Sequence, residues 1–220
     1  MPVETIYFLF ANSYDRYLYP DSSTAYHMAD PASLLKIETF IRHFIQPNEE
    51  EWNAFAAILK EKKLMKKDLL LEDGQTCNFI GFIISGVIRE YAFENGKEST
   101  VDFVSENQFV VDFQSFILST PSRQYLEALT DVDLLVFKKD SINRLYDKYK
   151  IWERFGRLII EHVFCGVEAK RKKIIATTRE EQYRNFAAIY PNVVQQVPQY
   201  YIASYLGLTP EHLSRIRKRV

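Results

Sequence analysis

Glu211, His212, Ser214, Arg215, Lys218 and Arg219 bring a carboxylate, an imidazole, a hydroxyl and three cations into one short stretch near the end of the chain. Such groups can hydrogen-bond base edges and neutralise phosphates, the two kinds of contact that hold duplex DNA. They can act together only if something rigid presents them. The stretch QYYIASYLGLTPEHLSRIRKR, Gln199 to Arg219, predicts a helix, a three-residue turn and a second helix that carries the cations. Ala203, fifth in the motif, is small where two crossing helices come close, and Gly207, ninth, supplies the positive φ that the turn favours. Ile202, Leu206, Leu208, Leu213 and Ile216 fill the remaining packing positions. Thr209 is placed to cap the second helix, and Pro210 suits its first turn, where a missing N–H costs nothing. An ordinary helical hairpin would share the apolar spacing. The glycine turn, the cap and the basic end, all in register, favour a helix-turn-helix DNA reader.

The chain has 220 residues, 47% of them apolar, enough for a core divided between two modest domains. Its formal charge of −1 is unevenly spread. Lys170, Arg171, Lys172, Lys173, Arg179 and Arg184 stand against Glu168, Glu180 and Glu181; Arg215, Arg217, Lys218 and Arg219 stand against Glu211. The basic excess collects at the C-terminal end, as phosphate contact requires. Cys77 and Cys165 lie far apart among apolar neighbours and read as reduced, buried thiols of a cytoplasmic protein. No run of about 18 apolar residues predicts a membrane span. The N-terminus has no basic start and too short an apolar run for a signal peptide. Residues 1–31 fit no pattern and are set apart as an extension of unknown role, with Met28 a second candidate start. Neither an enzyme nor a metal site is expected. His27, His43, His162 and His212 all fall outside the predicted strands, so a cupin-like histidine site cannot assemble. No Ser/His/Asp order, phosphate loop or Cys/His metal spacing occurs either.

Ala32 to Lys66 read as helical, with Leu35, Ile37, Phe40, Ile41 and Phe44 on one apolar face. Trp52, Phe55, Ile58 and Leu59 form another after the Pro47-Asn48 break. The period then drops to two. Leu69–Leu71, Phe79–Ile84, Val87–Phe93, Ser99–Val104, Phe109–Val111, Tyr125–Leu129 and Leu134–Phe137 read as short strands. Bends at Gly74 and Gly86 and a hairpin at Asn95-Gly96 join them into a small antiparallel roll. Beyond Lys139 the helical period returns. Ile151, Phe155, Ile159, Val163 and Val167 fall four apart, and Leu158, Gly166, Lys170 and Ile174 continue the stripe. A helix of about seven turns with so narrow a seam suits pairing with a second copy; packing as a lone helix on the roll is the alternative. Thr178 and Glu181 form a capping box for the next helix, which includes Phe186, Ala187 and Ile189 on its apolar face and stops at Pro191. The fold class is α+β. The expected order is an antiparallel β-roll sensor with flanking helices at 32–145, a long dimerisation helix at 146–176 and a helix-turn-helix DNA-binding domain at 177–220.

A β-roll, a long helix and a C-terminal helix-turn-helix, in that order, resemble the cyclic-AMP receptor/fumarate-nitrate regulator (Crp/Fnr) family of bacterial transcription factors. The stretches KKDLLLEDGQTCNFIGFIISGVIREY and VPQYYIASYLGLTPEHLSRIRKR carry the likeness, which spans residues 32–220. The run from TTREEQY to RIRKR resembles the branch common in Bacteroidetes. The resemblance implies a homodimer paired through residues 146–176 and a palindromic double-stranded operator with half-sites roughly 34 Å apart. It also names RNA polymerase as a candidate partner. Recognition helices of the family often carry Glu, two residues, then Ser-Arg, a spacing that Glu211, Ser214 and Arg215 reproduce on one helix face. By resemblance, Arg215 donates to a guanine or phosphate, Glu211 accepts from a cytosine amino group, and Ser214 contacts base or backbone. Thr209 and Gln199 anchor phosphates, and His212, Lys218 and Arg219 complete the DNA-facing set.

The roll departs from the family's pattern. Members that bind cyclic AMP carry Gly-Glu-Leu and, further on, an Arg followed by Ser or Ala; a short helix N-terminus and that arginine hold the cyclic phosphate. Here Val111-Asp112-Phe113 stands in the first place and Ser122-Arg123 in the second. On an alternating strand, a displacement by one puts the arginine on the opposite face. Gly86, Val111, Asp112, Phe113, Ser122 and Arg123 are the residues expected around an effector pocket, and a slip at Thr120-Pro121 would return Arg123 to it. A cyclic nucleotide is the cofactor that the resemblance offers, and Val111 and Asp112 argue against it. The expectation is a roll kept for its fold, with another effector or none. Two cysteines are too few for the family's iron–sulfur cluster, which needs four thiolates. The rival reading, a ligand-sensing module that regulates a protein partner without DNA, leaves the basic, capped helix unexplained.

Overall fold

A computed structural model describes residues 29–219, with side chains described outside 170–176. Residues 1–28 of the extension, with His27 and Met28, lie outside the described residues, as do the side chains of Lys170 and Ile174.

The chain enters through α1 (Pro31–Arg42), whose start is closed by Asp30 accepting from Ala32 N and Ser33 N. Leu34, Ile37 and Ile41 are its buried stripe, continued by Ile45. Leu35, expected inward, is 63% exposed, because a residue next to Leu34 lies about 100° round the helix from it. α2 (Glu49–Ala56) opens on a capping box between Asn48 and Glu51 and buries Trp52 and Phe55.

The helical reading of the segment up to Lys66 fails after Ala56. Lys60–Leu64 is a strand, β1, paired antiparallel with 132–136. Its Lys and Glu residues favour a helix in isolation, but a sheet edge tolerates outward lysines, and pairing together with burial of Leu64 outweighs local propensity.

The other strands are β2 (Leu69–Leu71), β3 (Phe79–Ser85), β4 (Val87–Glu94), β5 (Lys97–Ser105), β6 (Phe109–Val110), β7 (Tyr125–Ala128) and β8 (Val132–Lys138). They form two four-stranded sheets, β1-β8-β3-β6 and β2-β7-β4-β5, in which every pairing is antiparallel. Phe82, Ile83, Ile88, Leu126, Leu134 and Leu135 belong to one core that fills both faces of the β1-β8-β3-β6 sheet, with α1 and α2 packed against it. A bulge in β5 shifts the β4–β5 register, so Arg89 pairs with Phe103 and Tyr91 with Thr100.

Between β6 and β7 lies α3 (Phe113–Leu118), a single short helix that the strand pattern did not reveal. After β8 come α4 (Lys139–Lys148) and α5 (Lys150–Ala176), separated by Tyr149 in an extended conformation. The long helix thus begins at Lys150. Its first turn is fixed to the roll by Trp152, fully buried, which stacks on Phe55 at 4.4 Å and donates from Nε1 to Glu51 O at 3.2 Å. Leu158 and Ile159 still pack on the core and His162 meets Phe44, whereas Ile160, Val163, Phe164 and Val167 are 41–64% exposed. Cys77 is buried as expected, and burial pushes its thiol pKa up. Cys165 is exposed instead, because its apolar neighbours Phe164 and Val163 face away from any core.

The C-terminal helices are α6 (Arg179–Ile189), α7 (Pro191–Gln196), α8 (Gln199–Tyr205) and α9 (Pro210–Arg217). The Thr178–Glu181 capping box opens α6, and Pro191 begins α7 directly after it. Tyr183, Phe186, Tyr190, Val193, Ile202 and Leu213 share one core with Val87, Phe103 and Leu129 from the outer face of the β2-β7-β4-β5 sheet.

Candidate nucleic-acid interface

The α8–α9 pair is organised by its turn. Gly207 has φ +63° and donates to Ser204 O at 3.1 Å, while Leu208 donates to Ala203 O at 2.9 Å. These two bonds satisfy the last carbonyls of α8 in the manner of a Schellman C-cap, which needs a left-handed residue at this point. Ala203 and Leu213 are fully buried, Ile202 and Ile216 nearly so, and Leu206 and Leu208 partly. Thr209 caps α9 by accepting from His212 N at 3.2 Å, with Pro210 in the first turn.

Since Leu213 and Ile216 face the core, the opposite face of α9 must be wet. Glu211, His212, Ser214, Arg215, Lys218 and Arg219 are all exposed, as are Gln199 and Thr209. Glu211, Ser214, Arg215 and Lys218 fall three, four and seven apart, so they form one stripe. α9 ends at Arg217, which leaves Lys218 as its C-cap and Arg219 beyond it, where Arg219 meets Glu180 of α6 at 3.5 Å. Arg217, not anticipated as a site residue, is exposed in the last turn and adds a further cation; its place directly after buried Ile216 is the sequence signal for it. The Glu211 carboxyl is held below its usual range, first by its own backbone N–H, then by the Thr209 hydroxyl, with Arg215 contributing charge.

The residues expected around an effector pocket do not assemble as one site. Asp112, Gln114, Ser115, Thr120, Pro121, Arg123 and Gln124 line a cavity of about 70 Å³. Only Asp112 and Arg123 of the expected set line it. Gly86 instead forms the β3–β4 turn at φ +93°, where a Cβ would meet Asp131 O at 2.3 Å. Val111 packs on the roll core and Phe113 is 44% exposed. Ser122 is buried and bonded to Gln124, donating to its O at 3.1 Å and accepting from its N at 2.9 Å. The strand argument about Arg123 does not apply, since β7 begins only at Tyr125 and Arg123 lies on the preceding loop.

Asp112 closes the start of α3 with its own carboxylate, accepting from Ser115 N at 3.1 Å. Ser115 is tied in turn, its Oγ accepting from Cys77 N at 2.9 Å and donating to Thr120 O at 2.6 Å. A negative side chain occupies the end of the helix where an anion would be drawn, and ligand pockets usually begin near about 300 Å³. An open groove of about 420 Å³ between β1 and β2 is lined by Lys62, Lys63 and Lys67 but also by Asp68 and Glu72, so its charges offset one another. Among the described residues no group of three or more His, Cys, Asp or Glu is placed to hold a metal ion. No described helix is long and apolar enough to cross a membrane.

Residues 61–149 match the family model of the cyclic nucleotide-binding domain. The roll is a cyclic nucleotide-binding domain in fold. No curated protein matches the chain. Among solved structures, it is similar to FixK2 from Bradyrhizobium japonicum (TM-score 0.62, 17% identity, covering 74% of this chain and 84% of that one). It is also similar to CLP, a c-di-GMP responsive global regulator from Xanthomonas campestris (0.57, 15%, 78% and 91%). A third likeness is to the catabolite activator protein of Thermus thermophilus (0.51, 14%, 82% and 85%). All three are Crp/Fnr-family regulators, and at this identity the likeness establishes the fold: roll, long helix and C-terminal helices.

Proposed function

We propose that this protein is a cytoplasmic, homodimeric, sequence-specific DNA-binding transcription regulator of the Crp/Fnr kind, without enzymatic activity. The observation that carries the reading is the α8–α9 pair. Its apolar side is buried, its turn is fixed at Gly207, and Glu211, Ser214, Arg215 and Lys218 stand on the open face of α9. In a major groove, Arg215 donates to guanine or to a phosphate, Glu211 accepts from a cytosine amino group, and Ser214 bonds base or backbone. Thr209 and Gln199 meet phosphates, as do the cations Lys218 and Arg219, with His212 beside them.

The reading as a dimer rests on α5. Ile160, Val163, Phe164 and Val167 are exposed at spacings of three, four and seven, an apolar stripe that a second α5 would bury. Two copies then present two α9 helices to half-sites roughly 34 Å apart in a palindromic operator. The roll does not respond to a cyclic nucleotide through α3, because Asp112 fills that helix start and the adjoining cavity is too small.

Selection of bound sequences from random duplex DNA, with and without cyclic nucleotides, tests the reading. A palindrome should emerge in both arms, with binding that weakens steeply as salt rises. Recovery of no preferred sequence would reject DNA reading, and a palindrome only in the cyclic-nucleotide arm would reject the account of the roll.

A further inference from the structure

The C-terminal helices are not a free-standing unit. Val87, Phe103 and Leu129, on the outer face of the second sheet, are buried to 1–4% exposure within the helices' own core. Phe103 lies edge-on to Phe186 at 5.9 Å and near Tyr205 at 5.6 Å. Polar contacts frame this apolar seam. Thr100 N, on β5, donates to Ser204 Oγ of α8 at 3.0 Å, and Tyr190 OH donates to Asp102 Oδ1 at 2.9 Å.

At the centre is Arg89, on β4 and only 2% exposed. Its guanidinium lies 4.0 Å from the Tyr91 ring centroid on the roll and 3.9 Å from that of Tyr201 on α8. Its Nη2 donates to Glu127 Oε2 at 2.7 Å, and Nη1 pairs with Glu98. A buried arginine needs its partners, and here one of the two rings comes from α8.

We propose that Arg89, held between Tyr91 and Tyr201, locks the C-terminal helices onto the outer face of the β2-β7-β4-β5 sheet, so that roll and helices move as one body until this contact opens. The sheet pairs the charge through Glu98 and Glu127 and covers one guanidinium face with Tyr91, and the helices cover the other face with Tyr201. Any shift of β4 or β5 therefore reaches α8, and through the Gly207 turn α9, without passing along α5.

The lock is also built to open. Arg89 Nε and Thr100 Oγ1 are the two buried side-chain polar atoms without a partner among the described residues, and both lie in this contact. Unpaired buried donors and acceptors weigh against the closed arrangement. Thr177, extended between α5 and α6, is the joint about which the helices would turn on release.

Amide hydrogen exchange on the full-length protein tests this without reference to DNA. In Arg89→Met, exchange at Thr100 N and along α8 should quicken at least tenfold, while the β3–β8 amides of the inner core keep wild-type protection. Tyr201→Leu, which leaves the sheet intact, should give the same local pattern. Unchanged protection of α8 and Thr100 in both variants overturns the lock. So does a general loss of protection in Arg89→Met together with a wild-type pattern in Tyr201→Leu, since Arg89 would then serve only the stability of the sheet.

Discussion

Among the helix starts closed by the side chain of their own cap residue, Thr209 at α9 and Asp112 at α3 differ in charge and in what surrounds them. Thr209 spends a neutral hydroxyl on His212 N and leaves the rest of the turn open to solvent, with Arg215, Arg217 and Lys218 following along the helix. Asp112 spends a carboxylate on Ser115 N, and it is 93% buried beside a cavity of only about 70 Å³. A helix N-terminus attracts negative charge in either place. At α9 the carboxylate that answers it, Glu211, stands exposed where a partner can reach it; at α3 the answering carboxylate is buried. Resemblance of the roll to cyclic nucleotide-binding domains therefore does not by itself assign a ligand, because one fold hosts many functions.

The contrast can be broken at several points. Leu213→Ala removes the fully buried side chain beneath α9, and should cost about 2–5 kcal/mol of stability, read as a lowered melting temperature. If DNA binding survived at full strength at temperatures where that variant has lost its C-terminal packing, the rigid presentation of α9 would not matter. Arg215→Ala should leave the melt unchanged and weaken specific DNA binding by about 1–3 kcal/mol, or roughly five- to 150-fold. Equal loss on operator and on random duplex would make Arg215 a phosphate contact and not a base contact. Cap deletion compares the two starts directly. Thr209→Ala and Asp112→Ala should each cost about 1 kcal/mol of stability, but only the first should also weaken DNA binding. A calorimetric titration of Asp112→Ala with cyclic AMP should show no heat of binding, since the cavity stays small. Tight binding would mean that the carboxylate alone had kept the nucleotide out.

The readability of these regions in sequence follows the range of the forces that build them. The α8–α9 pair was legible because cap, proline, glycine and apolar spacing act within a few residues, and each pointed to the same two helices. The Thr178 capping box and most strands of the roll were legible for the same reason. β1 was not: Lys60 to Lys63 favour a helix locally, and only the partner strand at 132–136 makes them extended. α3 was missed because it is six residues long and its cap, Asp112, was read only as a departure from a family pattern. The attachment of the C-terminal helices to the roll was invisible for a plainer reason. Arg89 and Tyr201, or Thr100 and Ser204, are about a hundred positions apart, and no local rule joins them.

The smallest expected effect concerns the charge at the open helix start. Glu211 sits in the first turn of α9 with its carboxyl pKa depressed, chiefly by its own backbone N–H and next by the Thr209 hydroxyl. A depressed folded pKa means that the ionised carboxylate favours the folded state. That contribution is fully present above the unfolded value, about 4.3 for glutamate, and fades as the pH falls through the lower folded value. Wild type should therefore melt slightly above Glu211→Gln near neutral pH, and the two curves should converge as the solution is acidified past that window. The substitution should also alter the base preference at one operator position, since an amide can donate where the carboxylate only accepts. Convergence of the melts without any change in base preference would leave Glu211 as a helix-start charge alone. A gap that stayed constant with pH would mean that the ionised carboxylate is not what stabilises the start of α9, and the comparison with Asp112 would lose its electrostatic half.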